Sequence, residues 1–423
     1  MTAIAAAPPL AHDLRTISVV SIAHGGSHFC QLMVPPLFPW IAPAFGLSNT
    51  QLGALMSVFF VVSGVGQAFA GFVVDRHGPE RVLFGGLALL AVAALGLGAS
   101  PGYAALLVFM AVAGLGNCVF HPVDYSILNA RVHETRLGPA YAAHGISGAL
   151  GWAAAPVFVA GVAAMTSWRG ALFAVAAVAV PLLVFTMWQR ASLDLPRLPP
   201  AAPATPRQAG GGKGAGAGAD DAASAEASKF AFLRLPSLWA CFAFFLVFAA
   251  ALGGVQSFAP AAAFKMQGDG VEQVALCLSA FMLSSAAGNV LGGHLIRDPR
   301  RTAQVAGIGF GFAGLVALVI AFGQWPAAWV PVLCGVMGFG SGIAGPSRDL
   351  LVKQATPPGA TGRVYGVVYS GLDAGLVVAP LLFGLLMDAG LYRAVWLCMA
   401  VLYALLIASA LNVRRAARAN RPR

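Results

Sequence analysis

The chain has 423 residues, of which 59% are hydrophobic and only 9% are charged. A soluble protein of this length needs far more charge to cover its surface, so the composition excludes an ordinary soluble domain. One bilayer-spanning helix takes about 20 apolar residues, so the chain has room for about a dozen. The net charge of +10 would suit a nucleic-acid-binding protein, but the positions of the basic residues indicate another cause.

Apolar segments separated by charged residues or by Gly and Pro clusters predict an all-α membrane protein with twelve transmembrane helices. In chain order the predicted spans are 17–43, 49–74, 81–99, 103–129, 139–164, 168–189, 236–262, 271–296, 302–322, 326–352, 362–388 and 391–413. Because the number of spans is even, both termini are expected on the same side of the membrane.

The basic residues indicate which side that is. With the N-terminus inside, only Arg169, Lys265 and Arg393 of the 25 basic residues fall outside. Lysine and arginine accumulate in the cytoplasmic loops of membrane proteins. The sequence therefore predicts a multi-pass inner-membrane protein with both termini in the cytoplasm. This topology explains the positive net charge without a nucleic acid partner.

A polar segment divides the chain into two halves. Residues 190–235 are rich in Ala, Gly and Pro, which is typical of a flexible linker, here on the cytoplasmic side. We expect an N-terminal six-helix bundle over 1–189, a C-terminal six-helix bundle over 236–413 and a basic cytoplasmic tail over 414–423.

The two halves are related by an internal repeat. A shift of 224 residues aligns nine positions without a gap: Gly114, Gly116, Pro122, Gly138, Tyr141, Gly151, Ala155, Pro156 and Arg169 match Gly338, Gly340, Pro346, Gly362, Tyr365, Gly375, Ala379, Pro380 and Arg393. The fourth and fifth spans thus match the tenth and eleventh in the same orientation. Such pseudo-symmetric halves predict a solute site between them, near the middle of the membrane.

The loop between the second and third spans carries a motif. Residues 71–81 (GFVVDRHGPER) resemble the signature loop of the major facilitator superfamily, G-x-x-x-D-R-x-G-x-[RK]-[RK], with the last basic residue one place late. The resemblance implies a cytoplasmic gate held by charge contacts. The matching positions are Gly71, Asp75, Arg76, Gly78 and Arg81. Residues 27–29 and 114–122 are also similar to the fosmidomycin-resistance efflux branch of that superfamily.

Polar residues inside the spans are costly in lipid and mark a pathway. Several share a helix face, such as His24, His28 and Gln31 at i, i+4 and i+7. The full set of candidate solute-binding or proton-coupling residues is His24, His28, Gln31, Asn117, His121, Asp124, Tyr125, His144, Gln256, Asn289, Arg348, Asp349, Tyr365, Tyr369 and Asp373.

Histidine titrates near physiological pH, and a neighbouring carboxylate shifts both groups. We therefore expect proton coupling, with Asp124 and His121 as the central pair and His28 and His144 as further members. The alternative is that the same imidazoles carry a metal ion. Because no second carboxylate or thiolate has a clear place there, we expect no metal ligands and no cofactor.

Arg348 leaves two interpretations open. Its guanidinium is suited to clamp a substrate carboxylate or phosphonate. It also occupies the repeat position of Asp124, which would suit an ion pair that closes a gate between the halves.

The resemblance implies a monomeric secondary transporter that moves a small organic solute across the bilayer by alternating access, coupled to protons and working as an efflux antiporter. An importer or uniporter for an organic anion is the alternative. A more distant one is an intramembrane serine protease, because residues 145–148 (GISG) match the Gly-x-Ser-Gly of rhomboids. Twelve spans and an internal duplication favour a transporter, so we expect no enzymatic activity.

Overall fold

The computed structural model describes residues 10–194, 236–267, 273–295, 301–347 and 361–419, with the backbone alone for 361–366, 369 and 413–419. Its regular secondary structure over these residues is helical. This confirms the predicted all-α fold.

The first half forms six crossings from eight helices, because the first and fourth crossings are each interrupted. The helices are α1 (Leu10–Gln31), α2 (Phe38–Phe45), α3 (Asn49–His77), α4 (Pro79–Ala99), α5 (Tyr103–Asn117), α6 (Phe120–Arg131), α7 (Leu137–Met165) and α8 (Trp168–Trp188).

The second half forms six crossings from seven helices, because α9 and α10 together make one. The helices are α9 (Pro236–Ser257), α10 (Ala259–Gln267), α11 (Val274–Leu295), α12 (Thr302–Phe322), α13 (Trp329–Ile343), α14 (Thr361–Asp388) and α15 (Tyr392–Ala419). The last helix passes the predicted end at residue 413.

Eleven segments of the described chain are long and apolar enough to cross a membrane. The remaining crossing is the first, where α1 carries polar residues such as Asp13, Arg15, His24 and His28 that lower its hydropathy. The twelve predicted spans are thereby accounted for, in two bundles of six.

Proline explains why the fourth crossing is divided, where the sequence predicts one uninterrupted span. The ring of Pro122 clashes with the carbonyl four residues earlier, at Cys118, and Pro122 has no N–H to donate. The helix accordingly breaks after Asn117 and restarts at Phe120. The short helix α6 that results carries His121 and Asp124.

The internal repeat is visible in the packing of each half. A Cβ added to Gly114 of α5 would lie 2.4 Å from the carbonyl oxygen of Phe59 in α3. At the repeat position, a Cβ on Gly338 of α13 would lie 2.3 Å from the carbonyl oxygen of Phe281 in α11. Equivalent helices therefore touch through equivalent glycines, which let backbones approach closely in lipid.

The ends of the first half define two sides of the molecule. Arg15, near the start of α1, donates from Nε to the side-chain oxygen of Gln189, just after α8, at 2.8 Å. We call this the linker side, because residues 195–235 lead away from it to α9. The opposite end, where α3 begins and α14 ends, is the distal side.

On the distal side the two halves are tied together. The Asp388 carboxylate at the end of α14 accepts from the backbone N–H groups of Asn49 (2.7 Å) and Thr50 (2.8 Å) at the start of α3. Their side chains donate to the same carboxylate, at 2.9 Å and 2.6 Å. Asp388 thus satisfies two of the free N–H groups that begin every helix, across the boundary between halves.

The same two helices stay in contact for several turns. A Cβ on Gly53 of α3 would lie only 2.3 Å from the carbonyl oxygen of Pro380 in α14. One turn further, the Ser57 hydroxyl donates to the Val377 carbonyl at 2.6 Å. We call this contact between α3 and α14 the distal seam.

The seam ends near the middle of the membrane. A Cβ on Gly64 would still lie 2.9 Å from the Cβ of Asp373, whereas a Cβ on Gly71 would meet nothing within 4 Å. The described parts of α3 and α14 therefore diverge toward the linker side, and we call the space between these two helices the linker-side opening.

The residues of the signature loop lie at this open end. Gly78 turns the chain between α3 and α4 with a φ of 87°, a conformation that glycine adopts without strain. Asp75 and Arg76 are exposed and form no ion pair within the described residues, while Arg81 approaches only Glu80, at 3.8 Å.

Several predictions fall outside the described residues. The linker prediction is described only at 190–194, which include a short 3₁₀ turn at Arg190–Ser192. Arg348 and Asp349 are not described, nor are the side chains of Tyr365 and Tyr369.

Candidate functional site

Four histidines and one aspartate from three helices of the first half meet in one place. We call this group the imidazole cluster. Its members are His24 and His28 of α1, His121 and Asp124 of α6, and His144 of α7. All five are among the predicted site residues.

Asp124 is the centre of the cluster and is fully buried. Its Oδ2 is hydrogen-bonded to Nε2 of His144 at 3.0 Å. Nδ1 of His24 lies 2.9 Å from the same oxygen, at an angle that makes no hydrogen bond. Oδ1 has no hydrogen-bond partner among the described residues. An enclosed carboxylate with one empty oxygen is costly unless a proton or a cation completes it.

The direct contacts of Asp124 differ from the prediction, which paired it with His121. Residues three apart on one helix share a face. Here that face packs against α1 and α7, and the imidazoles of those helices make the direct contacts with the carboxylate. His121 remains in the cluster, with its ring 5.3 Å from that of His24 and 6.2 Å from that of His144.

The rings pack closely against one another. His24 stacks on His144 with 3.6 Å between ring centroids, and it lies 4.3 Å from the ring of His28. His28 in turn stacks on the indole of Trp152 at 4.2 Å. Two protonated imidazoles at such distances would repel each other strongly, so the protonation states of these rings depend on one another.

Glycines of α7 make room for these rings. A Cβ on Gly148 would lie 2.6 Å from Nδ1 of His28 and 3.0 Å from Nε2 of His24. A Cβ on Gly151 would lie 2.1 Å from the carbonyl oxygen of Gly25 in α1. The close approach of α1 and α7 therefore depends on these glycines, one turn apart.

The cluster reaches from the buried interior to the surface of the protein. His24 and His144 are 2% and 3% exposed, respectively, whereas His121 is exposed. Tyr125, 42% exposed, lies 5.3 Å from the ring of His144 and 5.4 Å from that of Tyr141. His121 and Tyr125 are therefore the accessible residues of this region.

Other predicted residues lie apart from the cluster. The break before α6 separates Asn117 from His121, and the Asn117 amide donates instead to Ser63 of α3 at 2.9 Å. Gln31 is buried at the end of α1. Asp373 is half-buried against Gly64, at the inner end of the distal seam.

Two polar predictions are in the second half. Gln256 of α9 is buried, and neither atom of its amide has a hydrogen-bond partner in the described part of the chain. Asn289 of α11 is exposed and packs against the backbone of Gly345. Gln256 is thus a buried amide without a described partner, while Asn289 fills space beside a glycine.

The proposed protease serine is not paired with an imidazole ring. The hydroxyl of Ser147 donates to the main-chain carbonyl of His144 at 2.8 Å. A nucleophilic serine needs a base within hydrogen-bond reach of its hydroxyl, so this geometry counts against the protease alternative.

Sequence reasoning missed the Asp388 contact and the stacking of Trp152 on His28. A signal for the first exists: a carboxylate at the C-terminus of a helix is repelled by the helix dipole and needs a compensating partner. Asp388 is such a residue, in a distal-side connection that has few basic residues.

Comparisons with known proteins agree with this architecture. A model of the Major Facilitator Superfamily matches residues 20–369 and 272–423. The Bacillus subtilis (strain 168) MFS-type transporter YfnC is 29% identical over 169 residues, which are 40% of this chain and 41% of that protein. A multidrug resistance protein B homolog of Mycobacterium tuberculosis (strain CDC 1551 / Oshkosh) is 25% identical over 189 residues, which are 45% of this chain and 34% of that protein. The matches thus span less than half of these relatives.

The fold also matches that of a solved structure. A bacterial homologue of the human lysosomal transporter Spinster, in an inward-facing and unoccupied conformation, superimposes with a TM-score of 0.70. The match covers 97% of this chain and 98% of that chain at 15% sequence identity. At this identity the likeness concerns the fold.

Proposed function

The chain belongs to the major facilitator superfamily, and on this premise we propose that it is a proton-coupled secondary transporter. It exports a small organic solute across the cytoplasmic membrane by alternating access, in exchange for protons. It works as a monomer in the bilayer, needs no cofactor and catalyses no covalent reaction.

The observation that carries this proposal is the uneven contact between α3 and α14, which touch along the distal seam and diverge toward the linker side. Alternating access requires a second state with the opposite pattern. The exposed Asp388 contacts stabilise the present state only modestly, because water competes for them. Contacts on the linker side would have to replace them in the second state, and we propose that the signature loop supplies them.

The charge pattern supports an orientation. The linker side carries most of the basic residues, as cytoplasmic faces do. With the linker side in the cytoplasm, the linker-side opening faces the cytoplasm and is loaded from there. Both termini are then cytoplasmic as well.

Proton coupling is supported by the environment of Asp124. The titratable groups that face this carboxylate are His24 and His28 from α1, His144 from α7 and His121 from its own helix. An ionisable group enclosed in a membrane protein is costly to keep without a function. Loss or gain of a proton at this group changes the charge that both α1 and α7 must accommodate, which links protonation to helix position.

Export is supported by similarity to the multidrug resistance protein B homolog. The alternative, import of an organic anion, depended on Arg348 as a clamp, and that residue lies outside the described part of the chain. The sign of the proton gradient that drives flux distinguishes the two directions.

The test begins with a search for the solute. Purified full-length protein is screened for thermal stabilisation by organic anions, amphipathic cations and phosphonates. The hit is then followed in proteoliposomes with an imposed pH gradient, with a protonophore as control. We expect uphill movement against the proton flow that stops with the protonophore. Equilibration at one rate with and without the gradient would contradict the proton-coupled account.

A further inference from the structure

Three nitrogen donors of the imidazole cluster converge on one point. His24, His121 and His144 each offer a ring nitrogen, and these atoms all lie within 4.8 Å of one another. Zinc binds imidazole at about 2.0–2.1 Å, which puts the nitrogens of a tetrahedral site about 3.3 Å apart. Small rotations of three side chains on three different helices would bring the present arrangement to that spacing.

Asp124 adds negative charge to these donors. Its Oδ2 touches His24 and His144, and its buried Oδ1 has no hydrogen-bond partner in the described chain. A carboxylate beside ligating imidazoles fixes their tautomers and raises their basicity. A cation at this point would also offset the charge of the buried carboxylate.

We propose that the imidazole cluster is a binding site for a first-row divalent transition-metal ion, with His24, His121 and His144 as ligands. Imidazole suits zinc, copper, nickel and cobalt, while magnesium and calcium take oxygen ligands. Three histidines beside one carboxylate therefore select the first group of ions.

The position of His121 gives the ion a route and an open coordination site. His24 and His144 are buried, whereas His121 is exposed. Three protein ligands leave a fourth position free for water or a ligand, as in catalytic zinc sites. An oxygen or nitrogen donor of a solute can occupy that position.

This inference adds a ligand to the proposed function. It rests on the proposed function only in that both use the imidazole cluster. The metal ion would be the cargo itself, or it would hold the solute at its free coordination position.

The test is direct binding of cobalt, whose visible absorption reports the ligands. Purified full-length protein without a histidine tag is titrated with Co²⁺ and then with Zn²⁺ as competitor. We expect one Co²⁺ per chain, displaced by Zn²⁺, with no thiolate charge-transfer band. Because His121 is exposed, His121→Asn should fold normally and weaken binding ~10-fold or more, as loss of even an outer partner does.

His294→Asn is the matched control. His294 is exposed in the second half, and its ring is hydrogen-bonded to the Val290 carbonyl of its own helix, so this change should leave cobalt affinity unaltered. Absence of Co²⁺ binding by the unaltered protein would overturn the metal site, as would equal affinity of the His121→Asn and unaltered proteins. Either result would leave pH-driven flux, and thus the proposed function, to be judged separately.

Discussion

Asp388 at the end of α14 caps the first turn of α3 through Thr50, whose N–H and hydroxyl lie 2.8 Å and 2.6 Å from Asp388 Oδ2. The cap joins the C-terminus of one helix to the N-terminus of another, so the carboxylate lies between two helix dipoles. The N-terminal dipole of α3 attracts it and offsets the repulsion from α14.

Removal of this cap should favour the state that is open on the distal side. Asp388→Ala deletes all four hydrogen bonds from Asn49 and Thr50. Since about 1.4 kcal/mol corresponds to a tenfold change in a ratio, we expect at least a tenfold rise in the distal-open population. Spin labels at Met165→Cys and Trp329→Cys, both exposed on the distal side, report it as longer distances.

Glu134→Ala is the control for this experiment. Glu134 is an exposed acid on the linker side, so its loss should leave the label distances unchanged. The six native cysteines are buried or half-buried, which favours labelling at the introduced sites. An unchanged distance distribution in Asp388→Ala would show that the cap does not hold the distal side closed.

Adding a single methyl group at Gly53 should separate the two helices of the distal seam. Gly53→Ala places a Cβ 2.3 Å from the backbone oxygen of Pro380, and a backbone atom cannot rotate away. We expect the same distal opening as in Asp388→Ala, or a lower Tm where the halves cannot separate. Gly161→Ala, where the Cβ meets nothing within 4 Å, should have neither effect. Equal behaviour of the two variants would contradict the close contact.

Periodicity in the sequence predicted much of the site and not its arrangement. His24 and His28 lie on one face of α1 because of their i, i+4 spacing, and their rings do meet. The partners of Asp124 come from α1 and α7. The close approach of these helices depends on packing at Gly148 and Gly151, and the spacing of residues along one helix does not predict such packing.

The fold was easier to predict from the sequence than the contact between the two halves. Hydropathy and the 224-residue repeat depend on local composition and gave the two bundles. The contact of Asp388 with α3 joins residues more than 330 positions apart. Local sequence patterns carry no information on a contact between residues this far apart.

The signature loop should matter for the opposite state. Asp75 is exposed and without an ion pair in the described residues, so Asp75→Asn should leave this linker-open conformation intact and weaken the linker-closed one. Spin labels at Ala142→Cys and Leu291→Cys, both exposed on the linker side, should report a smaller population of short label-to-label distances. If the linker-closed state loses about 1.4 kcal/mol, that population falls about tenfold. A larger short-distance population would contradict a gate role for Asp75.

Acid should weaken a contact at the start of α1, before the first predicted span. Burial opposes ionisation of Asp13, but hydrogen bonds from Arg136 (2.6 Å) and the His133 N–H lower the pKa of Asp13 below its ordinary 3.8. A carboxylate whose pKa is lower in the native state than in the unfolded state stabilises the fold at pH values above its unfolded-state pKa. This stabilisation is lost as pH falls through the native-state pKa.

Asp13→Asn should therefore lower Tm by a few degrees at neutral pH, and the difference from the unaltered protein should shrink below about pH 3.8. Thermal unfolding at a series of pH values measures this. Glu134→Gln, an exposed neighbour, serves as the control with no pH-dependent difference. A gap that widens in acid would contradict the assigned contact.

The central claim is that Asp124 couples solute movement to protons. The decisive measurement compares Asp124→Asn with the unaltered protein in proteoliposomes, for both solute exchange at equal pH and accumulation driven by a pH gradient. The account predicts that Asp124→Asn retains exchange and loses accumulation, because the amide cannot take up or release the proton. Accumulation by Asp124→Asn at the rate of the unaltered protein would contradict it.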